Sequence, residues 1–220
     1  MNEKEKKQAW IESLSFLIFK CWFDNVEFLF LKTEDLNFLR IAFCEATEER
    51  RNDIYIELLA LYLYYCDFTA FISLGEEKRD EIIDEVIKSI IEILFSEDTK
   101  NLLGIFKKSN ISYEHFLNIS LSNKFVEEYE KKVNEYSKYE KFYADKPQGT
   151  LIFAIAENIA NLLNHNREAN FVYSVYFALM NQFIASFQEF AIDVNSLFII
   201  YFVLLFIKCG SEYSHNGKRL

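Results

Sequence analysis

The chain has 220 residues, 51% hydrophobic and 26% charged, so it is neither a disordered tail nor too short to bury its own core. Five glycines and one proline exclude the turn-dense pattern of a sandwich or barrel and favour long helices. The net charge of −10 speaks against nucleic acid and anionic lipid as targets, because both need clustered Lys and Arg.

The pattern predicts an all-α, single-domain bundle of about nine helices over residues 1–210, followed by a disordered tail, 211–220. The first helical pattern runs from about Glu5 to Leu31, with a break expected near Asp24-Asn25. Thr33 is expected to cap a second helix, with Glu34 and Asp35 in its first turn and Arg50-Arg51 at its end. Asn52 or Asp53 would cap the third, which runs to Leu74 and stops at Gly75. From Ile54 to Cys66 that helix is apolar nearly all round, which predicts a central position.

The fourth helix repeats Ile82, Ile83, Val86, Ile87, Ile90, Ile91 and Leu94 at three- and four-residue spacing, with charges opposite. Ser96 starts a fifth, ending near Lys107-Lys108, and Ser112 a short sixth. The seventh spans about Asn123 to Tyr143. Its apolar side is Phe125, Val126, Tyr129, Val133, Tyr136 and Phe142, and Glu and Lys are dense on the other. Asp145-Lys146-Pro147-Gln148-Gly149 is a turn and an internal boundary before the apolar C-terminal third. Thr150 caps the eighth helix, to about Leu163, and Asn164-His165-Asn166 breaks the pattern.

From Ala169 to Ile207 only Glu189 and Asp193 are charged. Two helices are expected here, Glu168–Phe190 and Asn195–Lys208, joined near Asp193 as an apolar hairpin. On the first, Asn170, Ser174, Asn181 and Gln188 fall within roughly 40° of each other at 100° per residue. This stripe is a candidate interface. The last helix has no polar face. Its 11-residue apolar run, Leu197–Ile207, is shorter than the ~20 residues of a membrane span, so constitutive membrane insertion is not expected. Such a hairpin can be core, an interface with a second copy or another protein, or a conditionally inserting element. The layout is similar, in architecture only, to pore-forming colicin domains and Bcl-2-type bundles, although no residue motif of either is present.

No catalytic residue, metal site or cofactor is expected. There is no P-loop, G-x-S-x-G, G-x-G-x-x-G or H-E-x-x-H. The nearest polar constellation is Glu157, Asn161, Asn164, His165 and Glu168, which shares one face only if the helix continues through Asn164-His165-Asn166. Cys21, Cys44, Cys66 and Cys209 are widely spaced and read as small core residues in a reducing cytoplasm. The leading expectation is a non-enzymatic, cytoplasmic protein of inhibitor, immunity or adaptor type, acting through a protein partner or self-association. The alternatives are a binder of an apolar small molecule or lipid in an aromatic-lined cavity, and a helical enzyme built around Glu157 and His165.

Overall fold

The computed structural model describes residues 3–32, 37–95, 121–142, 144–181 and 192–196. Eight α-helices and no strand occur among these residues, so the fold is all-α, as expected. The expected fifth and sixth helices, the caps Thr33, Ser96 and Ser112, and the apolar run Leu197–Ile207 with the tail lie outside them.

Helix α1 (Glu3–Glu27) passes unbroken through Asp24-Asn25 and continues as a π-helical turn, Phe28–Lys32. The expected break is absent because Asn25 is not a surface turn residue: it is buried and donates to the Tyr62 hydroxyl. Helix α2 (Asn37–Glu45) ends five residues before the expected Arg50-Arg51. The chain turns at Ala46-Thr47, where Thr47 caps α3 (Glu48–Leu74) with extended backbone and accepts from the Arg50 amide at 3.4 Å. Glu48 and Glu49 then occupy the first turn, where the helix dipole favours acids. Asn52 and Asp53 are helical residues rather than caps. The other end is as expected: Gly75 stops α3 at φ 80°, its amide donating to Phe71 O.

Helix α3 is apolar nearly all round because it is packed on several sides, by α1, by α4 (Glu76–Phe95), by α5 (Leu121–Tyr136) and by α6 (Leu151–Leu162). Trp22 of α1 donates to Tyr55 O at 3.0 Å, and Ser15 of α1 to Val86 O of α4 at 3.4 Å. Ile82, Ile83, Val86, Ile87 and Ile90 of α4 are buried as their spacing requires. Helix α3 is also the one helix, among the described residues, long and apolar enough to cross a membrane. Its apolar window is 67% buried inside the fold.

Helix α5 stops at Tyr136, short of the expected Tyr143, and the chain continues as a loop to Thr150. The loop feeds α6 directly. Leu151 and Ile152 donate to Lys141 O and Phe142 O, and Thr150 accepts from the Phe153 amide, so the first orphan amides of α6 are satisfied. Leu163 closes α6 and Asn164 takes φ 65°. A seventh helix, α7 (169–181), follows, and 192–196 forms the eighth. Asp193 therefore sits inside a helical turn rather than in the expected junction before Asn195. Val194 is buried, and Asn195 reaches the Tyr65 hydroxyl of α3 at 3.5 Å.

Candidate functional site

Two carboxylates interrupt the apolar run of α3, and both are buried: Glu57 at 1% and Asp67 at 3% exposure. An ionised carboxylate cannot be desolvated at that depth without partners. Helix α5 supplies them for Glu57. Lys132 forms an ion pair with Glu57 Oε2, and Tyr136 donates to Oε1 at 3.0 Å and lies 3.3 Å from Glu57 O. Asn158 of α6 donates to the same Oε1 at 2.9 Å and lies 3.3 Å from Glu135, which also stands 3.7 Å from Lys132. Three helices thus meet on one carboxylate.

Asp67 is held differently. Arg79, one turn into α4, grips both its oxygens, with Nη2 to Oδ2 at 2.8 Å. This two-pronged geometry is the strong form of an ion pair. Tyr129 of α5 is buried close to Asp67 and Cys66, and its hydroxyl has no hydrogen-bond partner among the described residues.

The electrostatics follow from this packing. Burial lowers the Lys132 ammonium, but Glu57, then Glu135 and Glu128, more than offset it, so its pKa is raised. Burial pushes the Tyr136 hydroxyl well up, and Glu57 adds to the shift. Tyr129 is raised for the same two reasons, burial and then Asp67. Arg79 is raised chiefly by its hydrogen bond to Asp67. Both oxygens of Glu57 are engaged and the group is out of reach of solvent. The cluster therefore ties α3, α5 and α6 together through one carboxylate.

The polar strip expected at the end of α6 is on the surface, and the helix does not carry it through. Helix α6 stops at Leu162, so Glu157, Asn161, Asn164, His165 and Glu168 are divided between a helix and a turn. Glu157, Asn161, Asn164 and Glu168 are exposed. His165 Nδ1 lies 2.8 Å from Glu168 Oε1, and its ring stacks on Phe171 at 4.3 Å. Asn166 donates to Asn161 Oδ1 at 3.0 Å. Burial first, then Glu135, Glu157 and Glu57, raise the Tyr139 hydroxyl. No group of three or more His, Cys, Asp or Glu suited to a metal occurs among the described residues.

Of the expected interface stripe, Asn170 and Asn181 are exposed on α7 and Ser174 is half-buried, while Gln188 lies outside the described residues. Phe177 joins them, 57% exposed. A second apolar surface stands at the end of α3, where Phe68, Phe71 and Ile72 are 45%, 52% and 65% exposed. Phe68 meets Phe142 of the α5–α6 loop at 6.4 Å. Cys21 and Cys66 are buried free thiols, but Cys44 is exposed, not a core residue, because α2 turns that side outward.

The sequence pattern does not single out Glu57, Lys132 or Asn158. A signal existed: one acid inside a thirteen-residue apolar run, and one lysine between Tyr129 and Tyr136 on the α5 face otherwise read as apolar. No family model, curated protein or solved structure matches this chain.

Proposed function

We propose that the protein acts by binding another protein, as an inhibitor, immunity or adaptor-type module without chemistry of its own. The observation that carries this reading is the end of α3. Phe68, Phe71 and Ile72 occupy i, i+3 and i+4 at the end of a helix whose middle is buried, and they are exposed to water. At ~25 cal/mol per Å² of apolar surface, a contiguous patch of large side chains favours being covered, and such patches mark interaction surfaces.

The partner this patch suits has an apolar knob and a basic rim. Glu76, Glu77 and Asp80, all exposed, follow immediately at the start of α4, and the whole chain carries −10. Those acids also suit a helix N-terminus, but their position beside the apolar patch adds electrostatic steering for a basic partner. A reducing, cytoplasmic setting belongs to the same proposal and rests on the free thiols Cys21, Cys44 and Cys66.

The test is capture from the source cell on immobilised wild type and on a Phe71→Asp/Ile72→Asp variant in parallel. The reading expects a basic protein retained by wild type, released by salt and lost on the variant. The same proteins on both supports, or none on the wild type, would overturn it.

A further inference from the structure

The outward face of α7 (169–181) carries no charge. Ala169, Asn170, Tyr173, Ser174, Phe177, Met180 and Asn181 form that face, and none of residues 169–181 is Asp, Glu, Lys or Arg. The solvent-facing sides of α4 and α5 are unlike it. Helix α4 shows Lys78, Asp80, Glu81, Asp84 and Lys88 outward, and α5 shows Glu130, Lys131 and Lys138 with the turn that follows it. A surface helix is normally polar and charged on its outer side, so an uncharged outer face with an exposed Phe asks for a cover.

We infer that this face pairs with α7 of a second copy of the chain, antiparallel and about a two-fold axis. Two features select that occupant. The first is charge. Two copies at −10 each repel wherever their acids meet, and α7 is an outward helix face that brings none to the contact. The second is the pattern of the stripe. Asn170, Ser174, Phe177 and Asn181 are spaced four, three and four, which is the seam spacing of paired helices. It reads the same from either end.

An antiparallel pair centred between Val175 and Tyr176 therefore sets Asn170 against Asn181 of the partner subunit, and Ser174 against Phe177 of the partner subunit. Amide meets amide, and a large ring meets a small residue, as interdigitated packing requires. Polar Asn residues in such a seam fix register and orientation at some cost in affinity. Antiparallel helices also bring opposite dipole ends together. The two-fold operation closes the assembly at a dimer. A contact confined to the face of residues 169–181 buries less than the ~800 Å² per partner of a standard stable interface, so the dimer is concentration-dependent. This surface is separate from the α3 patch, and its failure leaves that reading standing.

Sedimentation velocity across a wide range of protein concentration tests it, with Phe177→Asp and Phe71→Asp alongside. The expected result is a wild type passing from monomer to twice that mass, the same for Phe71→Asp, and a Phe177→Asp variant that stays monomeric with unchanged helical circular dichroism. Orientation is read in a Cys44→Ser/Cys209→Ser background. Asn170→Cys mixed with Asn181→Cys should form a disulfide-linked dimer, and Asn170→Cys alone should not. A wild type monomeric throughout, a dimer untouched by Phe177→Asp, or cross-linking of Asn170→Cys to itself would overturn the inference.

Discussion

Tyr136 of α5 donates its hydroxyl to the Glu57 carboxylate of α3 at 3.0 Å, joining residues 79 positions apart. Hydrogen bonds to a charged acceptor contribute more than neutral ones, so Tyr136→Phe should cost about 1.5–3 kcal/mol. Glu57→Leu should cost about 3 kcal/mol, because it strands Lys132 with only Glu135 at 3.7 Å. The double variant Glu57→Leu/Lys132→Met should lose less than Glu57→Leu alone, since neither charge is left orphaned. Urea unfolding reads all three as shifts in midpoint at constant slope. A double variant as unstable as Glu57→Leu alone, or more so, would mean the pair is not a unit.

Alkaline pH should loosen the same junction. Lys132 is raised above its ordinary 10.5, and Tyr129 and Tyr136 above 10.0. The folded chain therefore holds these protons more tightly than the unfolded chain. Their contribution is complete below about pH 10 and is lost as pH rises through the folded-state values. The urea midpoint should fall above about pH 10, and tyrosinate absorbance from the buried hydroxyls should appear together with unfolding, not before it. A midpoint flat through that range would contradict the placement of these groups.

The junction between α3 and α4 turns on Gly75. Its φ of 80° and ψ of 172° lie in a region open essentially to glycine, and a Cβ there would meet nothing within 4 Å. Gly75→Ala should therefore cost about 1–3 kcal/mol through backbone strain alone, with no clash to relieve. Thr47→Ala, at the opposite end of the same helix, removes the cap on the Arg50 amide and should cost about 1 kcal/mol. Thermal or urea unfolding separates the two. A neutral Gly75→Ala would mean the turn has an alternative path.

Two phenylalanines should behave oppositely. Phe30 stacks on Phe43 with ring centroids 3.9 Å apart, and both are buried, so Phe30→Ala should cost about 3–5 kcal/mol. Phe71 is half in water, and Phe71→Ser should move stability by no more than about 0.5 kcal/mol while weakening partner capture. A large stability loss at Phe71 would identify it as a packing residue and remove the main support for the α3 surface.

Periodicity made the all-α class, the buried face of α4, the central place of α3 and the stops at Gly75 and Leu163 readable from residues alone. These depend on patterns local to one helix. What failed was set mostly by distant contacts, and once by a choice between neighbouring caps. Asn25 looks like a break until Tyr62 is beside it. Asn52 and Asp53 look like caps until Thr47, three residues before Arg50, is seen to do the capping. The Glu57 cluster draws on residues 57, 132, 136 and 158, and no spacing within one helix reveals that their faces converge. The Asn170 stripe was legible as a face because it lies on one helix, whereas the exposure of Phe177 and of Phe68, Phe71 and Ile72 needed neighbours to be placed.

The packing of α3 against α1 and α4 bears on how the chain assembles during synthesis. Those three helices close on one another using only the first 95 residues, so their contacts are available while the charge-poor C-terminal stretch is still inside the ribosome. Helix α7, which follows later in the chain, then meets residues already in place, as Phe171 meets Phe38, rather than open water. Pulsed hydrogen exchange would register this order as protection reaching α1, α3 and α4 ahead of α5 and α6.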